Sequence, residues 1–141
     1  RFVEHVARVK VDGVQARETQ LGNRDRGGLR IAASMLLQLE NGGVGVIIAN
    51  YLNPSAFGSW GNEHLRIFGD RGFVEATDGG ARTRLVLQDE DRGAIDTSAP
   101  APDYFDRFLD EVQGRAEMPL CPADELHPTR MVIRARDSAR A

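Results

Sequence analysis

The spacing of apolar residues changes once along this chain, and that change constrains the fold more than any other feature. Up to residue 88 apolar and polar residues alternate in short runs broken by turns. Beyond residue 100 the apolar positions recur at intervals of three and four. Alternation suits strands, whose side chains point to opposite faces, whereas the longer interval suits a helix with one apolar side. Strands followed by helices predict an α+β fold: an open-faced, mostly antiparallel sheet of about six strands with helices packed on one face.

The individual elements follow from the same reading. Val6, Val9 and Val11 interleave with Ala7, Arg8 and Lys10, which predicts a half-buried first strand. Residues 18–28 are polar and glycine-rich and predict a loop. From Ile31 to Leu39, Ala33, Met35, Leu37 and Leu39 share one face, with Ser34 and Gln38 on the other. Glu40-Asn41-Gly42-Gly43 then contains Asn-Gly, the dipeptide of a tight hairpin with positive φ at both turn positions. Val44 to Tyr51 is the returning strand. Residues 52–61 form a loop carrying Phe57 and Trp60. Leu65–Phe68, Phe73–Ala76 and Thr83–Gln88 complete a meander over residues 6–88, and residues 89–100, acidic and polar, read as a linker. Tyr104, Phe105, Phe108, Leu109 and Val112 predict a helix behind Pro102 and Asp103 and ahead of Gly114. A second helix is expected from about residue 123 to the end, with Pro128 delaying its start or kinking it.

Composition narrows the function classes. A chain of 141 residues is one domain's worth and can bury roughly 68% of its unfolded surface. The net charge of −3 gives no general attraction to nucleic acid or anionic membranes, so neither is expected as a partner. Lys10 is the one lysine among 18 basic residues, and the arginines are scattered rather than clustered. The single cysteine, Cys121, excludes an internal disulfide and a cysteine-built zinc site, and suits a reducing, cytoplasmic setting. No run of 18 apolar residues occurs, and no signal-peptide pattern opens the chain.

Few residues suggest chemistry. Gly42-Gly43-Val44-Gly45 lacks the strand-then-helix context of a dinucleotide fingerprint, and turn chemistry is the better reading. His5, His64 and His127 are far apart, with no clustered carboxylates, so no metal site is expected and structural roles are favoured for each. Ser34 and Ser55 lie near no histidine–acid pair. Lys10, between valines, reads as an outward side chain rather than a Schiff-base lysine. Asn50, Tyr51, Asn53 and Trp60 place amides and aromatic rings at a strand end, where loops on a rigid sheet carry binding residues. Packing of Phe57 and Trp60 onto the core is the competing reading. Arg24 and Arg26 could clamp an anionic or hydroxylated substrate, against the simpler reading of a solvated loop.

The order of these pieces resembles the C-terminal domain of the Gfo/Idh/MocA oxidoreductases. Ala33 to Gly45 is similar to that family's hairpin ending in Glu-Asn-Gly, and Leu65-Arg66-Ile67-Phe68-Gly69-Asp70-Arg71-Gly72-Phe73-Val74-Glu75 to its "rIfGtrGvvE" element. Asp103-Tyr104-Phe105-Asp106-Arg107-Phe108 resembles its Phe-x-x-Phe helix, and Leu126 to Arg140 its final helix. The likeness implies that residues 1–141 are a substrate-binding and oligomerisation domain whose Rossmann partner, with the catalytic lysine and histidine, lies upstream of Arg1. The opening Arg1-Phe2-Val3, with no methionine, reads as an internal cut. It further implies an NAD(P)-dependent enzyme acting on a sugar or polyol, a homodimer or homotetramer joined through the sheet face, and no catalytic residue in this chain, which alone would be inactive. Asn50, Tyr51, Asn53, Trp60 and Arg24 are then the candidates for the pocket wall. The alternatives are a non-enzymatic binding or dimerisation module sharing the fold and, with less support, a small hydrolase.

Overall fold

The structure, a computed structural model, describes every residue except Arg1, Arg24, Arg26, Pro102 and Leu120. In chain order it contains α1 (Phe2–Ala7), β1 (Val11–Thr19), β2 (Ala32–Leu39), β3 (Val44–Asn50), β4 (Leu65–Gly69), β5 (Gly72–Thr77), β6 (Arg82–Leu87), β7 (Glu90–Gly93), α2 (Tyr104–Val112) and α3 (Pro122–Arg140). It divides into two compact units, residues 1–54 with 118–141 and residues 55–117. Among the described residues all strand pairs are antiparallel, as expected, but seven strands form two sheets, one of three and one of four, instead of about six in one.

The first unit holds β1-β2-β3 in that order, with α3 against β1. Alternation along β2 works as read: Met35, Leu37 and Leu39 turn inward, while Ser34, Leu36 and Gln38 face out. Val11, Leu37, Leu39 and Met131 form the buried cluster, with Val3, Val9, Val14, Met35 and Ile47 half-buried around it. Met131 and Ala135, four apart on α3, share the buried stripe, and Ala16 N donates to Ser138 Oγ at 3.3 Å. Pro122 begins α3, where a missing N–H costs nothing, and Asp124 and Glu125 complement the positive end of the helix dipole. Pro128 sits inside α3 without ending it.

Two expectations need correcting here. Residues 2–7 are a helix, and the first strand starts at Val11 and runs to Thr19, into the predicted loop. Val3 and Val6 are three apart, a spacing that serves a helix, and α1 is held by tertiary bonds. Val11 N donates to Glu4 Oε1 at 2.8 Å. His127 Nε2 lies 2.9 Å from Val11 O and 3.1 Å from Glu4 Oε1, both acceptors, so this nitrogen carries the proton and His127 has the structural role expected of it. The 40–43 hairpin is present, but with a different turn. Gly42 N donates to Leu39 O at 2.9 Å and only Gly42 takes positive φ (84°), so the loop is a type I turn closed by a left-handed glycine.

The second unit is a β4-β5-β6-β7 meander followed by α2. β7 falls in the predicted linker. Across one face Arg66, Glu75 and Arg84 stand in register, and Arg84 continues to Asp91 with Nη2 to Oδ2 at 2.5 Å. On the same face the Phe68 and Phe73 rings are 5.4 Å apart. Ile67, Val74 and Leu85 line the other face, half-buried, and no described residue of this unit is fully buried. α2 starts where the sequence placed it, with Asp103 Oδ1 accepting from Phe105 N at 2.7 Å and Asp106 N at 3.2 Å.

The ion pairs are expected to make the fold acid-sensitive. The Arg66 bond holds the Glu75 carboxyl below its usual range, Arg84 does so for Asp91, and Lys10 for Asp124. Each therefore releases its proton more readily folded than unfolded. Their stabilisation is complete above the ordinary carboxylate range and is lost as pH falls through the lowered values. The melting midpoint is expected to hold from pH 7 to about 5 and to drop below about 4. A midpoint that stays flat down to pH 2.5 would rule these pairs out.

Candidate substrate-facing site

Thr19, Ala32 and Asn50 stand side by side at one end of the first sheet. Three bonds fasten what continues from it: Ile31 N donates to Thr19 O at 2.9 Å, Tyr51 N to Ile31 O at 3.0 Å, and Leu52 N to Asn50 Oδ1 at 2.9 Å. The β1–β2 loop and segment 51–54 thus share this end. An alanine Cβ at Gly22 (φ 90°) would lie 3.9 Å from Leu52 Cδ2. Asn50, Tyr51 and Asn53 are all exposed, Tyr51 to 61%. They present amide and phenol groups that can exchange hydrogen bonds with hydroxyls, plus a ring that can cover a sugar face.

The structure therefore gathers Asn50, Tyr51 and Asn53. Trp60, 83% exposed, belongs to the second unit, between a single 3-10 turn at Ser55–Phe57 and β4, and Ser59 Oγ donates to Gly61 O at 2.8 Å beside it. Arg24, like Arg26, lies outside the described residues. One residue of this region carried no signal in the sequence: Asn23, the one fully buried polar residue among those described, 8% exposed. Its Nδ2 donates to Leu29 O at 3.2 Å and its own N to Gln20 O at 2.8 Å.

The other end of this sheet holds a cleft of about 640 Å³ lined by Glu4, Arg8, Lys10, Asn41, Asp124 and Pro128 among others. Lys10, read as an outward side chain, pairs there with Asp124 at 3.0 Å, a bond that raises its own pKa. Asn50, Tyr51, Asn53 and Trp60 are not among the residues that line it. Among the described residues no group of three or more His, Cys, Asp or Glu could hold a metal ion, and no helix is long and apolar enough to cross a membrane.

Gly42–Gly45 runs into a strand rather than a helix, and the amides there are engaged, Gly42 N by Leu39 O and Gly43 N by Asn41 Oδ1 at 3.0 Å. The described part of the chain has no parallel strand pair of the kind a dinucleotide fold requires.

A Thermotoga maritima protein described as an oxidoreductase superimposes with a TM-score of 0.89 at 26% identity, over 99% of this chain and 42% of its own. By fold, the chain is similar to the C-terminal domain of the Gfo/Idh/MocA oxidoreductases. Two further structures share this fold. An aldose-aldose oxidoreductase of Caulobacter crescentus, complexed with glycerol, gives 0.77 at 16% identity over 98% of this chain and 42% of its own. The WlbA dehydrogenase of Bordetella pertussis, in complex with NADH and UDP-GlcNAcA, gives 0.68 at 21% identity over 93% and 38%. The chain thus spans about two-fifths of the solved chains it matches. No family model matches it, and no curated protein does.

Proposed function

We propose that this chain is the substrate-side and oligomer-building part of a cytoplasmic NAD(P)-dependent oxidoreductase acting on a sugar or polyol C–OH. The observation that carries the reading is the superposition over 99% of the chain on an oxidoreductase at 26% identity. It is supported by neighbours that act on sugars and by the one complexed with NADH and UDP-GlcNAcA. Asn50, Tyr51 and Asn53 form a wall that orients the substrate over a nicotinamide held by another domain, and Trp60 and Arg24 are the further sequence candidates for substrate contact. Orientation alone can contribute much of a rate enhancement by fixing the reacting atoms in place.

Hydride transfer needs a nicotinamide that this wall does not itself supply, so the chain by itself is expected to be inactive. The test is turnover. The 141 residues should give no change in NADH or NADPH absorbance with aldoses, polyols or UDP-sugars. The product of the longer coding region, if it carries a glycine-rich βαβ unit and a lysine-bearing motif ahead of Arg1, should give one. Turnover by the short chain overturns the division of labour. A start codon directly before Arg1 would favour a free-standing binding module.

The oligomer role rests on the open face of the first sheet. Leu36, Val44, Val46 and Ile48 lie there together, 52%, 76%, 68% and 75% exposed. A contiguous apolar sheet face of this kind marks an interface, and a second copy of the chain forming a dimer or tetramer is the occupant we assign.

A further inference from the structure

The β1–β2 loop contains a feature its composition does not call for. Solvated loops keep their polar side chains in water, because burying an amide without partners is costly. Asn23 is nevertheless buried, and its amide is spent within the loop, reaching across six residues to Leu29 O while its backbone N–H closes onto Gln20 O. Such a bond favours one placement of Asn23 against Leu29, since losing it leaves the buried Asn23 amide without its partner.

That conformation is built against the candidate site. Gly22, next to Asn23, adopts φ 90° beside the Leu52 side chain, and Ile31, two residues beyond Leu29, accepts from Tyr51 N. Leu52 N in turn caps onto Asn50 Oδ1. From these contacts we infer that Asn23 is a positioning residue for the substrate wall: it holds the β1–β2 loop in the shape that sets segment 50–53. It touches no substrate itself, and the inference rests on the site proposed above.

Asn23→Ala removes the side chain. Asn23→Asp keeps its size but cannot donate to the Leu29 carbonyl. Amide spectra of the 141-residue chain, with UDP-N-acetylglucosamine as the probe titrated to millimolar concentration, read both halves of the claim. Both variants should shift the Tyr51 and Leu52 amide signals, leave those of α3 and β6 in place, and weaken probe binding about 10-fold, as expected for one well-placed buried bond. Tyr51 and Leu52 signals that do not move overturn the inference, as does unchanged affinity. Loss of the α3 signals in both variants also overturns it, since Asn23 would then support the whole unit. A wild-type chain that binds no probe overturns the substrate wall itself, and Asn23's role with it. That result differs visibly from variants binding as well as wild type, which would remove Asn23 alone.

Discussion

Gly72→Ala is expected to unfold the second unit and leave the first intact. Gly72 opens β5 opposite Leu87, at φ 145°, outside the range an L side chain readily adopts. A Cβ built there would lie 1.9 Å from Val86 O and 2.9 Å from Leu87 Cα. Both are backbone atoms of the neighbouring strand, so no rotamer change can relieve the clash, and β5 must part from β6. Overpacking and backbone strain together would cost about 3 kcal/mol or more. With no fully buried residue among those described, this unit has little to set against that. Gly80→Ala is the control: its φ of 94° is as unfavourable, but nothing lies within 4 Å of the added carbon. Only about 1 kcal/mol of strain should then appear. Amide signals from residues 65–93 should collapse in the first variant and persist in the second, with β1–β3 signals present in both. Well-dispersed β4–β6 signals in Gly72→Ala, at an unchanged melting midpoint, would contradict this account.

The same glycine shows what the sequence could and could not disclose. Gly69-Asp70-Arg71-Gly72 announced a turn between two strands, and the turn is there. That its second glycine must accommodate a carbonyl of a third strand depends on register, which no local pattern encodes. Asn41-Gly42 marked the first hairpin correctly. The turn type differs because three residues separate the paired positions Leu39 and Gly43, and only the last of them needs a left-handed backbone. β7 was invisible: Glu90-Asp91-Arg92 has no apolar alternation, and it becomes a strand by pairing with β6 and by the Asp91–Arg84 bond. α1 was misread because valines spaced by two and by three coincide at Val6, Val9 and Val11, and its helix depends on Glu4 and His127, 123 positions apart. The end of the sheet bearing Asn50, Tyr51 and Asn53 could be located from turns alone. Asn23 could not be singled out, because nothing in Gly-Asn-Arg-Asp-Arg-Gly marks which polar side chain will be buried.

Leu36 and Leu37 are adjacent, yet replacing each should report on a different level of structure. Leu37 is 4% exposed, packed with Val11, Leu39 and Met131, and its Cδ1 covers the bare backbone of Gly45 at the 3.4 Å a Cβ there would see. Gly45, opposite on β3, has no side chain to move into the space, so Leu37→Ala should cost about 3–4 kcal/mol. For a unit of this size that lowers its melting midpoint by on the order of 10–25 °C. Leu36 points the other way, 52% exposed and paired with Val46. Leu36→Ala should cost the isolated unit less than about 1 kcal/mol. Leu36→Asp, in contrast, places a charge in the middle of the apolar face formed with Val44, Val46 and Ile48. If that face joins copies of the chain, the charge would have to be desolvated within the contact, a cost that an unpaired carboxylate cannot recover. Sedimentation should therefore show wild type as a dimer or tetramer, Leu36→Asp as a monomer, and Leu37→Ala as an oligomer that melts early. Equal thermal losses from the two alanine variants would mean the strand does not alternate as described. A Leu36→Asp protein that sediments with wild type would show that this face meets solvent, and the apolar stripe on β3 would then need another occupant.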